Sequence, residues 1–242
     1  MFVAVFVVTV GLLQAGQPRP AEPWIAISVR YPASAPVEQM RRDFMALKTA
    51  GFNAVAPDTL VNLDRLTAVA SETGLRVMKD PAPSGSSVTI GGSQSSPAQA
   101  RVALWSAIAS GSRTFELVDA GGSVSAAVLS LGETVGVVTR NQALFAPLQP
   151  RKTAPGEIAV DGSGVAVHIL ESADAMAIIA LNHAREVRKV SITFKPEIPE
   201  AIWQNMEDGA SVHFVMSSKG PVLEHTFAPQ DVLVLAIRKK LR

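Results

Sequence analysis

Residues 24–57, WIAISVRYPASAPVEQMRRDFMALKTAGFNAVAP, decide how the rest of the chain is read. The opening WIAISVRY is rich in β-branched and aromatic residues and runs into a Pro, Ala and Ser cluster, which reads as a strand over residues 24–31. Pro36 then stands where a first helical residue belongs and Glu38 falls in the first turn. Met40, Phe44, Leu47 and Ala50 recur at helical spacing before Gly51 stops the helix. Residues 53–57, NAVAP, form a second short strand. The same grammar follows once more, with a helix over residues 62–73 closed by Gly74 and LRVMK at residues 75–79 as a third strand. Strict alternation of strand and helix favours a parallel sheet with right-handed crossovers.

The alternation breaks at residues 81–97, PAPSGSSVTIGGSQSSP, whose Pro, Gly and Ser content reads as loop or linker. It resumes with an amphipathic helix over residues 98–110 carrying Val102, Trp105 and Ile108, a strand over 113–119 (RTFELVD), and a largely helical stretch over 124–148. PRKTAP at 150–155 marks a boundary. Beyond residue 157 short strands are separated by turns, at 164–171, 175–182, 187–194, 201–206, 211–216, 222–227 and 231–238, with Asp161-Gly162 and Asp208-Gly209 as turn signals. The expected fold class is therefore α/β plus all-β: a parallel α/β layer over residues 24–148, then an antiparallel β-sandwich over residues 157–242.

Composition excludes several classes. Of 242 residues, 48% are hydrophobic and 18% charged, which suits a folded globular chain and not a disordered one. Lys and Arg number 22 against 21 Asp and Glu, a formal charge of +1, so no nucleic-acid partner and no peripheral membrane contact is expected. With no cysteine there are no disulfides, thiol nucleophiles or cysteine zinc sites. At the N-terminus, residues 2–13 are apolar apart from Thr9 and Gly11 and are followed by Ala15 and a Pro-rich stretch. About 12 apolar residues are short for a membrane span, and the order resembles a secretory signal at residues 1–15, which predicts a secreted or periplasmic protein.

Three segments carry a family resemblance. Residues 37–57, VEQMRRDFMALKTAGFNAVAP, look like the first helix and second strand of a (β/α)8 barrel, with its Ala-Gly-Phe-Asn turn. Residues 100–117, ARVALWSAIASGSRTFEL, are similar to a late barrel helix running through a Gly into a strand. ALNHAREVRKVSITF at 180–194 and FAPQDVLVLAI at 227–237 resemble the terminal sandwich that follows such barrels. Together the chain resembles a glycoside hydrolase of the barrel type with a C-terminal β-sandwich. A whole barrel takes roughly 250 residues; residues 24–148 are about half of that, so the resemblance implies a partial, half TIM-barrel-like layer lacking the mid-barrel segment. Its open sheet edges would be covered by residues 81–97, by the sandwich, or by a second copy in a homo-oligomer. The Asn-Glu dipeptide that supplies the acid/base group in the largest barrel clan is absent.

Glycoside hydrolysis needs two carboxyl groups roughly 5–9.5 Å apart. The catalytic candidates near strand ends are Asp58, Asp80, Glu116 and Asp119. Glu116 and Asp119, three apart on one strand, point to opposite faces, so a facing pair requires Asp80 with Asp119 or Asp58 with Glu116 in a favourable sheet order. Each also has a structural reading: Asp58 as a helix cap, Asp80 before Pro81 as a turn former, Asp119 as a loop cap. A sugar ring also stacks on aromatic faces, for which Trp203 and Tyr31 are the carbohydrate-binding candidates, whereas Trp105 sits on an apolar helix stripe and reads as core. His168, His183, His213 and His225 show no ligand spacing, so no metal is expected. There is no GxSxG elbow, GxGxxG or P-loop, and no cofactor is expected. These features point to an exported, catalytically degenerate glycoside-hydrolase-like protein that binds carbohydrate or is structural. The alternatives are an active glycosidase with a relocated carboxylate pair and an envelope structural protein without a sugar ligand.

Overall fold

The computed structural model describes residues 24–80, 86–90, 95–120, 124–195, 198–199 and 201–239. The first half is built from β1 (Ala26–Tyr31), α1 (Val37–Thr49), β2 (Ala54–Pro57), α2 (Leu63–Thr73), β3 (Arg76–Val77), β4 (Ser87–Ile90), α3 (Pro97–Ala109) and β5 (Thr114–Asp119). Three short helices follow, α4 (Ala126–Leu129), α5 (Gly132–Arg140) and α6 (Gln142–Phe145). All five strands are parallel, in the order β3-β2-β1-β5-β4. The stretch expected to be loop, residues 81–97, thus contributes a strand: SVTI alternates small polar with β-branched residues and covers the open edge of β5.

The winding is that of a barrel. The chain steps from β1 to β2 to β3 in one direction, and from β4 to β5 toward β1 in the same direction. Right-handed crossovers then place α1, α2 and α3 on one face of the sheet, whereas a doubly wound sheet reverses and carries helices on both faces. Ile27, Val29, Tyr31, Val55, Phe115 and Leu117 meet the helices in a single core, and the alternate residues Ala26, Ser28, Arg30, Ala54, Ala56 and Glu116 make up the inner face. At the start of β1, the Asn53 side chain accepts from the Ile27 amide at 2.8 Å and donates to the Ile25 carbonyl at 2.7 Å. Gly51 before it, at φ 96°, lets the end of α1 meet α5: a Cβ there would stand 3.0 Å from the Gly136 Cα.

The second half comprises β6 (Gln149–Pro150), β7 (Ile158–Asp161), β8 (Val165–Glu171), β9 (Ala175–Asn182), β10 (Arg188–Phe194), β11 (Trp203–Asn205), β12 (Ser211–Val212), β13 (Val215–Ser217), β14 (Gly220–Phe227) and β15 (Val232–Arg238). They form a six-stranded sheet, β12-β11-β15-β9-β8-β6, and a four-stranded sheet, β13-β14-β10-β7, with every pairing antiparallel. Val190, Ile192, Phe194, Leu223 and Phe227 of one sheet face Met176, Ile178, Trp203, Leu233 and Leu235 of the other.

The six-stranded sheet is covered on both sides. In β9 all eight residues of AMAIIALN are buried, Ala177, Ile179 and Leu181 facing the helical core and Met176, Ile178 and Ala180 the sandwich core. What lies on the first side is α3, whose buried residues Ala100, Val102, Leu104, Trp105, Ala107 and Ile108 cover more than half of its circumference. The expectation of an amphipathic helix is corrected here: a helix held between two sheets is apolar over most of its surface, and the narrow side of Gln99, Ala103 and Ser106 stays part-exposed. Its start is well marked, with Ser96 and Gln99 forming a reciprocal capping box ahead of Pro97.

Candidate functional site

Among the described residues, the inner face of the parallel sheet holds one buried charge. Glu116, at the centre of β5, is 2% exposed and is gripped by Arg30 of β1 through two parallel bonds, Nε to Oε1 at 2.6 Å and Nη2 to Oε2 at 3.0 Å. The register makes this pairing local: Ser28 lies beside Glu116 and Arg30 beside Val118, so both long side chains rise from neighbouring positions on one face. The bond to Glu116 drives the Arg30 guanidinium further above its usual range against the opposing effect of burial, and the charge of Asp58 adds to the rise. In a carboxylate bound bidentately by a guanidinium, the oxygens that would attack or protonate a substrate are already occupied.

The other candidate carboxylates lie at strand ends, and the pairing of Val55 with Val77 brings Asp58 and Asp80 to the same end of the adjacent strands β2 and β3. Asp58 follows β2 and is exposed, its Oδ1 accepting the Ala33 amide at 2.8 Å, a loop-tying role in place of the helix cap expected of it. Asp80 follows β3 and is exposed. Asp119 ends β5 on the opposite face from Glu116, as the strand period requires, and its Oδ2 accepts the Ser125 amide at 2.8 Å where α4 begins. Asp80 lies in a bend beyond β3 and Asp119 ends β5, with β2 and β1 between those two strands. Three inter-strand steps amount to about 14 Å along the sheet, wider than the roughly 5–9.5 Å a catalytic pair spans. Asp58 and Glu116 flank β1, and Arg30 stands between them. Of the two facing pairs, Asp80 with Asp119 has two strands between it, and in Asp58 with Glu116 the Glu116 carboxylate is bound by Arg30.

The aromatic candidates are corrected by burial. Tyr31 is 0% exposed, packed edge-on against Phe44, and its hydroxyl donates to Asp43 Oδ2 at 2.6 Å. Burial first and Asp43 second push this phenol well above its usual range. Trp203 is also 0% exposed, set in the sandwich core against Phe214, with Nε1 donating to the Pro199 carbonyl at 3.4 Å. A ring enclosed on both faces offers no surface to a sugar. Both side chains fall on the inward phase of their strands, where the alternation puts the apolar set.

Arg30 is the site residue that sequence reasoning passed over. Its signal was present: an arginine inside an otherwise apolar strand, AISVRY, needs a counter-charge on the same face, and Glu116 is the carboxylate placed to supply it. Truncating Arg30 to Met leaves Glu116 buried without its cation, and the loss expected is about 2 kcal/mol, reduced from fully buried cases because Arg30 is part-exposed. Arg30→Met combined with Glu116→Leu is expected to regain most of that loss, and urea unfolding of the two variants measures the difference.

Fold and inner face together define a partial barrel-type α/β layer joined to an antiparallel β-sandwich, with an Arg–Glu ion pair on the inner face of the parallel sheet. No family model and no curated protein matches the chain. Solved structures similar to it include an endoxylanase of family GH30 from Clostridium papyrosolvens, with TM-score 0.42 and 6% identity over 90% of this chain and 97% of that one. An α-amylase from Geobacillus thermoleovorans gives TM-score 0.43 and 9% identity over 85% of this chain and 47% of the amylase. Against a GH42 β-galactosidase from G. stearothermophilus the values are 0.23 and 14%, over 34% of this chain and 10% of the galactosidase. The chain spans about a tenth of that galactosidase. These neighbours are glycoside hydrolases, the class whose layout the sequence motifs resemble.

Proposed function

We propose that this chain is an exported glycoside-hydrolase-like protein that does not cleave glycosidic bonds and serves a structural role. The observation that carries the reading is the bidentate Arg30–Glu116 pair. It occupies the one buried carboxylate among the described residues of the inner face, and Asp58 and Asp119 each accept a backbone amide, from Ala33 and from Ser125. Between the two non-catalytic roles, carbohydrate binding loses support because Tyr31 and Trp203 are consumed by packing. Export rests on the apolar run of residues 2–13, which lies outside the described residues.

The test is a panel of aryl glycosides and plant and bacterial polysaccharides, assayed with the wild type and with Asp80→Asn, Glu116→Gln and Asp119→Asn. Turnover indistinguishable from buffer is expected for all four proteins, because removal of a general acid alone takes away about 10²–10⁴ in rate. Turnover by the wild type that one substitution abolishes, with an unchanged circular dichroism spectrum, would establish a relocated catalytic pair instead.

A further inference from the structure

Among the described residues, the sandwich has one unguarded edge. Natural sheets blunt their edges with charge, proline, brevity or a covering segment. Here β6 contains Pro150, β3 is two residues long and carries Arg76, β12 is two residues long, β7 ends in Asp161, and β4 is bridged at Ile90 by Ser95. The remaining edge strand, β13, reads Val215-Met216-Ser217 and is exposed throughout. Val215 is 68% and Met216 55% exposed, and Ile202 beside them is 62% exposed. Ile202 and Met216 line a groove of about 270 Å³ whose other walls are apolar apart from His213, and which opens at the same edge.

The backbone of this edge is arranged for a partner. Met216 lies opposite Pro221 in β14, and Ser217 opposite Gly220 closes the hairpin. Proline has no N–H to give, so Met216↔Pro221 is a pair without ladder bonds, and both main-chain groups of Met216 point outward from β14. An antiparallel strand placed along β13 would find that donor and acceptor together at its middle. A second β13, related by a two-fold axis through Met216, presents the same two groups in the complementary direction. It sets Val215 opposite the partner's Ser217 and the two exposed Met216 side chains together.

We propose that two copies of this chain associate through β13, joining their four-stranded sheets into one eight-stranded sheet across a two-fold axis at Met216. Covering Val215, Met216, Ile202 and the strand backbone in both copies makes an interface smaller than the roughly 1,200 Å² of stable complexes, the size class of weak and transient association.

The absence of native cysteine makes a clean probe available. Across an antiparallel pair the Cα atoms stand within disulfide reach, about 4.4–6.8 Å. Met216→Cys is therefore expected to form a covalent dimer under mild oxidation, at least about tenfold faster than Met45→Cys on the exposed side of α1. Sedimentation of the unmodified chain from micromolar to millimolar concentration is expected to show a monomer–dimer transition. Met216→Lys and, separately, Val215→Glu are expected to weaken it by at least about tenfold while leaving the melting curve in place. A wild-type chain that remains monomeric throughout, even where some other protein occupies the edge, overturns the proposal, as does a dimer that withstands both charged substitutions or equal cross-linking from both cysteine positions. Glycosidase turnover bears on the function proposed above and leaves this association untouched.

Discussion

Gly220→Ala is expected to be the most damaging single methyl group in the described part of the molecule, lowering stability by about 4 kcal/mol or more, or preventing folding altogether. Gly220 opens β14 at φ 123°, a backbone conformation that L side chains rarely adopt. A Cβ there would also fall far inside van der Waals contact of the Phe194 carbonyl oxygen at the end of β10, with the Lys195 Cα at 3.5 Å. These neighbours are main chain, so relief requires β14 to move off β10, the pairing that centres the four-stranded sheet. Gly156→Ala is the control, because Gly156 also has positive φ, at 80°, but has nothing within 4 Å of the added methyl. It is expected to lose only the conformational part, about 1–2 kcal/mol. Equilibrium unfolding in urea separates the two, and a Gly220→Ala loss no greater than that of Gly156→Ala would show that the strand yields at this point.

Arg101→Met is expected to rank next, at about 3 kcal/mol. From α3 the Arg101 guanidinium reaches both carboxylate oxygens of Glu207, between β11 and β12, and Oδ1 of Asp231 at 2.9 Å, just before β15, and it donates to the Val232 carbonyl at 3.1 Å. This cation therefore ties the α/β layer to the sandwich, and its loss leaves two part-buried carboxylates facing each other without compensation. Burial alone would raise the Asp231 carboxyl, but Arg101 and the amides of Val232 and Ala228 together outweigh it and hold Asp231 below the usual carboxylate range. A depressed folded-state value contributes stability above the unfolded-state pKa, about 3.9, and loses it as pH falls through the folded-state value. The melting temperatures of wild type and Arg101→Met are therefore expected to lie furthest apart near neutral pH and to converge below about pH 4. A gap that stays constant to pH 2 would assign the loss to packing of the arginine stem.

The elements whose sequences carry a local period were legible without any tertiary information. The helix over Met40, Phe44 and Leu47, the Gly74 stop, and the alternating strands of the sandwich follow from side-chain spacing and turn chemistry, which act within a few residues. Strand β4 was hidden because SVTI lies among Pro, Gly and Ser, and only pairing with β5 stabilises it as a strand. Helix α3 was read as one-sided because periodicity cannot show that a second sheet waits on the other side.

For the site, the division is sharper. That Glu116 and Asp119 face opposite ways was determined by the two-residue period of a strand, and the absence of thiol chemistry by the absence of cysteine. Which carboxylates meet, and with what, depended on strand order, a property of contacts between residues as far apart in sequence as Arg30 and Glu116. Burial of Tyr31 and Trp203 was likewise settled by what packs upon them. Local sequence selects the elements because their hydrogen bonds and side-chain faces close within a short span. Only the assembled sheet brings distant residues within the few ångströms over which a charge finds its partner and a ring is enclosed.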